Sequence, residues 1–134
     1  MRLCISLLLF VGFVTSAQAQ VSVVVDRGRQ TVTATIDGTV HQWRTSTGKF
    51  RTWTPPGTFG VQSMSKNHRS SLYRGAPMPF AIFFNGNIAI HGTMEVDRLG
   101  QPASHGCVRL HPTYAKLLFE AVSRHGRSAR IQVL

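Results

Sequence analysis

Residues 79–91 read PFAIFFNGNIAIH. Two almost continuous apolar runs, each the length of a strand, lie on either side of Asn85-Gly86. That dipeptide is a strong hairpin signal, because a tight type I′ turn needs positive φ at both central positions. Apolar runs without alternation fit strands covered on both faces. The hairpin therefore belongs inside a layered β structure, and His91 stands at the end of its second strand.

The same signals recur upstream. VSVVV at 21–25 and TVTATI at 31–36 are rich in β-branched residues and separated by polar Asp26-Arg27-Gly28-Arg29. Asp37-Gly38 predicts another hairpin, the first of these two along the chain, with a strand from Thr39 to about Arg44. Residues 46–61 read as loop and then strand, with Pro55 and Pro56 marking an edge or a strand entrance. Residues 65–77, carrying Lys66, His68, Arg69 and Arg74, read as a polar basic loop. One helix is convincing. Pro112 suits its first position, Tyr114, Leu117, Leu118, Ala121 and Val122 form an apolar stripe, and Gly126 offers a left-handed stop. The tail ARIQVL reads as a last strand. The expected fold is mainly β, a sandwich or barrel with one helix of the C-terminal region packed against it.

Residues 1–19 have the marks of a secretory signal. Arg2 gives a positive start, residues 3–14 are nearly all apolar, and Ala17-Gln18-Ala19 fits the cleavage pattern. A retained anchor helix is the alternative, but the run is shorter than the roughly 20 apolar residues a span needs. Cleavage after Ala19 leaves one domain, residues 20–134, exported to the periplasm or cell wall with no stable membrane anchor.

The 134-residue chain has a formal net charge of +10, with only Asp26, Asp37, Glu95, Asp97 and Glu120 on the acidic side. Such a field attracts polyanions. For an exported protein these are anionic envelope polymers rather than nucleic acid, and simple solubility is the alternative use of the charge.

Cleavage would also remove Cys4 and leave Cys107 as the single cysteine. A lone thiol in an oxidising compartment is either a buried apolar filler or a reactive group. Its setting, ASHGCVRLHP at 103–112, is polar. Cys107 follows His91 by sixteen positions, and a loop of that length closes at modest entropic cost. An imidazole brought to the sulfur can take its proton and generate the attacking thiolate. Gly106 leaves room for a carbonyl beside backbone N–H donors, and Arg109 supplies a fixed positive charge. A zinc site using His91, His105, Cys107 and His111 is a competing reading. His41, His68 and His125 have no evident company and are expected at the surface.

The pattern goes beyond spacing. HGT at 91–93 followed by LGQPASHGCVRL at 99–110 closely resembles the signature of the YkuD-type L,D-transpeptidases. STG at 46–48 and TPPGTF at 54–59 resemble two further blocks of that family, in the expected order. The resemblance covers essentially all of residues 20–134.

It implies an exported enzyme that remodels peptidoglycan without a metal or organic cofactor. Cys107 would attack the carbonyl between an L-centre and a D-centre of a donor stem tetrapeptide. The terminal D-amino acid would leave, and the acyl group would pass to an amine. A second stem as acceptor gives a 3→3 cross-link; an envelope protein as acceptor gives a protein–wall tether. Water as acceptor would make the chain a carboxypeptidase. A non-catalytic wall-binding protein is the reading from another class. By the same resemblance His91 is the general base and the Gly92 carbonyl orients its ring. Gly92 stands where some relatives have serine, which is compatible because the backbone acts. The N–H groups of Gly106 and Cys107, with His105 nearby, form an oxyanion hole. Ser104 supports that loop, and Arg109 steadies substrate or loop.

Overall fold

The computed structural model describes residues 20–49 and 54–134, together with 9, 11 and 12. The proposed signal segment thus lies almost wholly outside the described residues. Among the described residues, no helix is long and apolar enough to cross a membrane.

Among the described residues, nine strands form two sheets. They are β1 (Val21–Asp26), β2 (Thr31–Ile36), β3 (Thr39–Arg44), β4 (Gly57–Phe59), β5 (Ser63–Arg69), β6 (Pro77–Asn85), β7 (Ile88–Gly92), β8 (Val108–Leu110) and β9 (Arg130–Val133). One sheet has the order β3-β2-β1-β9-β4, the other β5-β6-β7-β8. The helix, α1 (Pro112–Arg124), packs against β6 and β7.

Period-two alternation builds the core. Val21, Val23 and Val25 of β1 and Val32, Ala34 and Ile36 of β2 are buried, while the residues between them are partly exposed. They meet Ile82 and Phe84 of β6, Ile90 of β7, Val108 and Leu110 of β8, and Leu118 and Val122 of α1 in one cluster. The first hairpin turns at Asp37 (φ 48°) and Gly38 (φ 82°), as its sequence predicts.

Four expectations need correction. Of the expected loop 65–77, residues 65–69 are strand and Pro77 begins β6: β5 pairs antiparallel with β6 along its length, and only 70–76 turn. Serines, Lys66 and Arg69 suit it because β5 is a sheet edge, where charge discourages further pairing. The second hairpin turns one residue later than expected, since Asn85 pairs with Ile88 and leaves Gly86 (φ 58°) and Asn87 between them. The helix buries Ala115 with Leu118, Ala121 and Val122, whereas Tyr114 and Leu117 lie at the rim. Tyr114 instead stacks on Trp43, with ring centroids 5.2 Å apart. Finally, three histidines expected to stand alone have company. His41 stacks on Trp43, His68 meets the edge of Phe83, and His125 Nε2 lies 2.8 Å from Asp37 Oδ1.

Candidate active site

The link from β7 to β8 places the chemistry. These two strands are parallel neighbours, with Ile90 opposite Val108 and His91 opposite Arg109. The long connection between them, expected to fold back, does so through a short 3-10 turn at Val96–Arg98. Side chains alternate across a sheet, so Ile90, Val108 and Leu110 enter the core. His91, Cys107 and Arg109 consequently leave from the opposite face. There Cys107 packs on a separate small cluster of Met78, Ala81, Ala89 and Phe83. The three polar residues share one cleft of about 380 Å³.

His91 is buried, and its Nδ1 lies 2.7 Å from the carbonyl oxygen of Gly92. A carbonyl only accepts, so Nδ1 carries the ring proton and Nε2 keeps its lone pair. Burial lowers the His91 pKa from 6.5 to about 4; the Gly92 carbonyl opposes this, and the charge of Arg109 adds to it. Burial likewise pushes the Cys107 thiol up, against smaller opposing effects of the Ala89 backbone and Arg109. At neutral pH the resting pair is therefore neutral thiol and neutral imidazole. The thiol is 3.6 Å from the carbonyl oxygen of Asn87.

Gly92 is held tightly. A Cβ there would meet Pro79 Cγ at 3.1 Å and the Pro112 Cα at 3.2 Å. Packing thus favours glycine in this chain, beyond its being compatible with a backbone role.

The turn before the sulfur is tied to itself. Ser104 Oγ donates to the Cys107 carbonyl (2.6 Å) and accepts from the Gly106 N–H (3.1 Å). The Gly106 N–H is thereby committed to Ser104. Gly106 has φ 127°, a conformation L side chains rarely adopt, which is a second reason for glycine here. His105 stacks on Tyr73 of the 70–76 turn, with centroids 4.3 Å apart, so that turn borders the cleft. Arg109 is not a free cation: its Nη1 is 3.2 Å from Glu95 Oε2. His111 does not join the site but caps α1, its Nδ1 accepting from the Thr113 N–H at 3.1 Å. Among the described residues no three His, Cys, Asp or Glu side chains converge as a ligand set.

Sequence reasoning missed the frame around this turn. Thr45, Ser46 and Thr47 are buried. Thr47 O accepts from the N–H groups of Ala103 and Ser104, and Ser46 exchanges backbone hydrogen bonds with Arg109. The Ser46 hydroxyl reaches the carbonyls of Arg98 and Gln101. The run Thr45-Ser46-Thr47 was the available signal, but the Ser46 hydroxyl's partners, Arg98 and Gln101, lie more than fifty residues away.

Fold and site together define a β-sandwich protein with a thiol and an imidazole lining one cleft on the outer face of one sheet. The chain belongs to the YkuD family, the L,D-transpeptidase catalytic domain, whose family model matches residues 20–131. Solved structures agree. An L,D-transpeptidase from Mycobacterium smegmatis is 26% identical with a TM-score of 0.73, the match covering 87% of this chain and 59% of that one. One from Stackebrandtia nassauensis is 26% identical with a TM-score of 0.73, covering 93% and 61%. An L,D-transpeptidase in complex with imipenem is 23% identical with a TM-score of 0.74, covering 87% and 59%, which bears on the fold alone. The chain thus spans about three fifths of the length of these solved relatives. Comparison with curated proteins gives no match.

Proposed function

We propose that this chain is an exported cysteine L,D-transpeptidase acting on peptidoglycan stem peptides. One observation carries the reading: His91 and Cys107 occupy the same cleft, and the His91 ring is held by the Gly92 carbonyl so that Nε2 is the proton acceptor.

In the first half-reaction the Cys107 sulfur bonds to the carbonyl carbon of a donor tetrapeptide while Nε2 of His91 takes the thiol proton. Starting from a neutral pair, charge separates only as the new bond forms. The N–H of Cys107 donates to the resulting oxyanion. When the intermediate collapses, the C–N bond breaks and the imidazolium returns its proton to the departing D-amino acid. A thioester remains on Cys107. An amine, from a second stem or an envelope protein, then attacks the thioester, gives its proton to His91, and the thiol is regenerated.

The chemistry up to the thioester is common to transfer and hydrolysis, and hydrolysis is the second reading because the cleft is open to water. Purified tetrapeptide muropeptides distinguish them. Cross-linked dimers with released D-amino acid support transfer, tripeptides alone mean a carboxypeptidase, and no change in the muropeptides would refute the proposal.

A further inference from the structure

Thr54 lies on no strand or helix and does not border the cleft, yet it is fully buried. Its hydroxyl accepts a hydrogen bond from the Gly48 N–H at 3.0 Å. It also lies 2.7 Å from the carbonyl oxygen of Gly106, the residue before Cys107. A hydroxyl has one hydrogen to give. With the Gly48 N–H already pointing at the oxygen, that hydrogen goes to Gly106.

This contact fixes more than a carbonyl. The Gly106–Cys107 peptide is planar and trans, so its C=O and N–H point in opposite directions. Pulling the Gly106 oxygen inward to Thr54 turns the Cys107 N–H outward, beside the sulfur. Gly106 lacks a side chain and sits at φ 127°, so little in its own preferences holds the plane. Ser104 restrains the neighbouring groups, the Gly106 N–H and the Cys107 carbonyl, but not this peptide's own C=O. We propose that Thr54 is a positioning residue: by holding the Gly106 carbonyl, it aims the Cys107 N–H at the oxyanion formed when the thiol attacks a carbonyl. The inference rests on the proposed acyl transfer, since without an oxyanion there is nothing to aim at.

The role separates two reactions of the same sulfur. Acylation by a tetrapeptide donor, or by imipenem as a carbonyl probe, passes through an oxyanion. Alkylation by iodoacetamide displaces iodide and does not. Both rates are measured for the wild type, Thr54→Val and Thr54→Ser. Thr54→Val keeps the shape of the side chain and loses the hydroxyl. It should slow acylation by at least about tenfold, toward the roughly 10²–10³-fold that loss of one oxyanion donor costs. The loss should fall on kcat with KM little changed, alkylation should stay within about twofold, and Thr54→Ser should recover most of the rate. If Thr54→Val does not fold, the same ratio of rates is read on Thr54→Ala.

Acylation at the wild-type rate in the variant would overturn the inference. So would equal losses in both reactions, because the hydroxyl would then be supporting the loop rather than aiming a donor. A wild-type protein that alkylates readily but is acylated by no carbonyl compound would overturn the proposed function, and this inference with it.

Discussion

Nδ1 of His91 sits 2.7 Å from the carbonyl oxygen of Gly92, the next residue along the same strand. The ring is therefore oriented by its own backbone and needs no carboxylate partner. His91→Ala should reduce acylation by about 10²- to 10⁴-fold, the usual worth of a positioned general base. Donor affinity should be little altered. Rapid-quench acylation with a tetrapeptide donor measures both, and a near-normal rate would exclude His91 as the base.

Acid titration should expose the burial of this ring. With a pKa lowered to about 4 instead of 6.5, His91 stays neutral well below the range of an exposed histidine. The acid limb of the acylation profile should therefore lie near pH 4. Stability follows the same sign. The unfolded chain takes up the proton first, so the contribution of neutral His91 is complete above pH 6.5 and is lost as pH falls toward 4. The loss is on the order of 3 kcal/mol. Cys107 acts at the other end: its raised pKa favours the folded state until pH climbs past the ordinary thiol value, after which that contribution declines. Denaturant unfolding of wild type and His91→Ala at several pH values isolates the acid side, and identical acid slopes would contradict the assignment.

Gly92→Ala tests the packing that holds the carbonyl. Its Cβ would press on Pro79 and on the backbone of Pro112 at the start of α1, neither of which yields easily. A destabilisation of about 1–3 kcal/mol is expected, as for other overpacked sites. Acylation should slow as well, because the strand end that orients His91 must move. Thermal unfolding and acylation rates check the two parts; an unchanged melting temperature would show that the notch is looser than it looks.

The excess of basic residues has a measurable consequence. If electrostatic attraction to anionic envelope material brings the protein to its substrate, sedimentation with isolated sacculi should weaken as salt rises from 0.05 to 0.5 M, taken here as roughly the range over which exposed charges become screened. Salt-independent binding would mean the excess of Lys and Arg serves only solubility.

Much of this architecture is legible in the chain because the signals are local. Val32, Ala34 and Ile36 alternate with threonines, Asp37-Gly38 turns the first hairpin, and Pro112 and Gly126 bracket the helix. β5 escaped because SMSKNHR has no apolar alternation; an edge strand is held by its ladder to β6 and needs little burial of its own. A stripe that starts at Tyr114 leaves out Ala115, although a small residue is what fits against Gly92. The Cys107 and His91 blocks are compact motifs and stand out. STG at 46–48 and TPPGTF at 54–59 stand out as blocks, but the roles of Thr54 and of residues 45–47 do not, since they depend on hydrogen bonds to Gly106, Ala103 and Arg109, far off in sequence.

The central claim is that the sulfur of Cys107 carries the acyl group. Intact-mass spectrometry after brief mixing with a tetrapeptide donor, followed by peptide mapping, tests it most directly. The wild type should gain the donor mass less its terminal D-amino acid, on the peptide containing Cys107, and Cys107→Ala should gain nothing while keeping its melting temperature within a few degrees. Donor turnover by Cys107→Ala at the wild-type rate, or a wild type that neither forms the adduct nor releases the D-amino acid, would contradict the account.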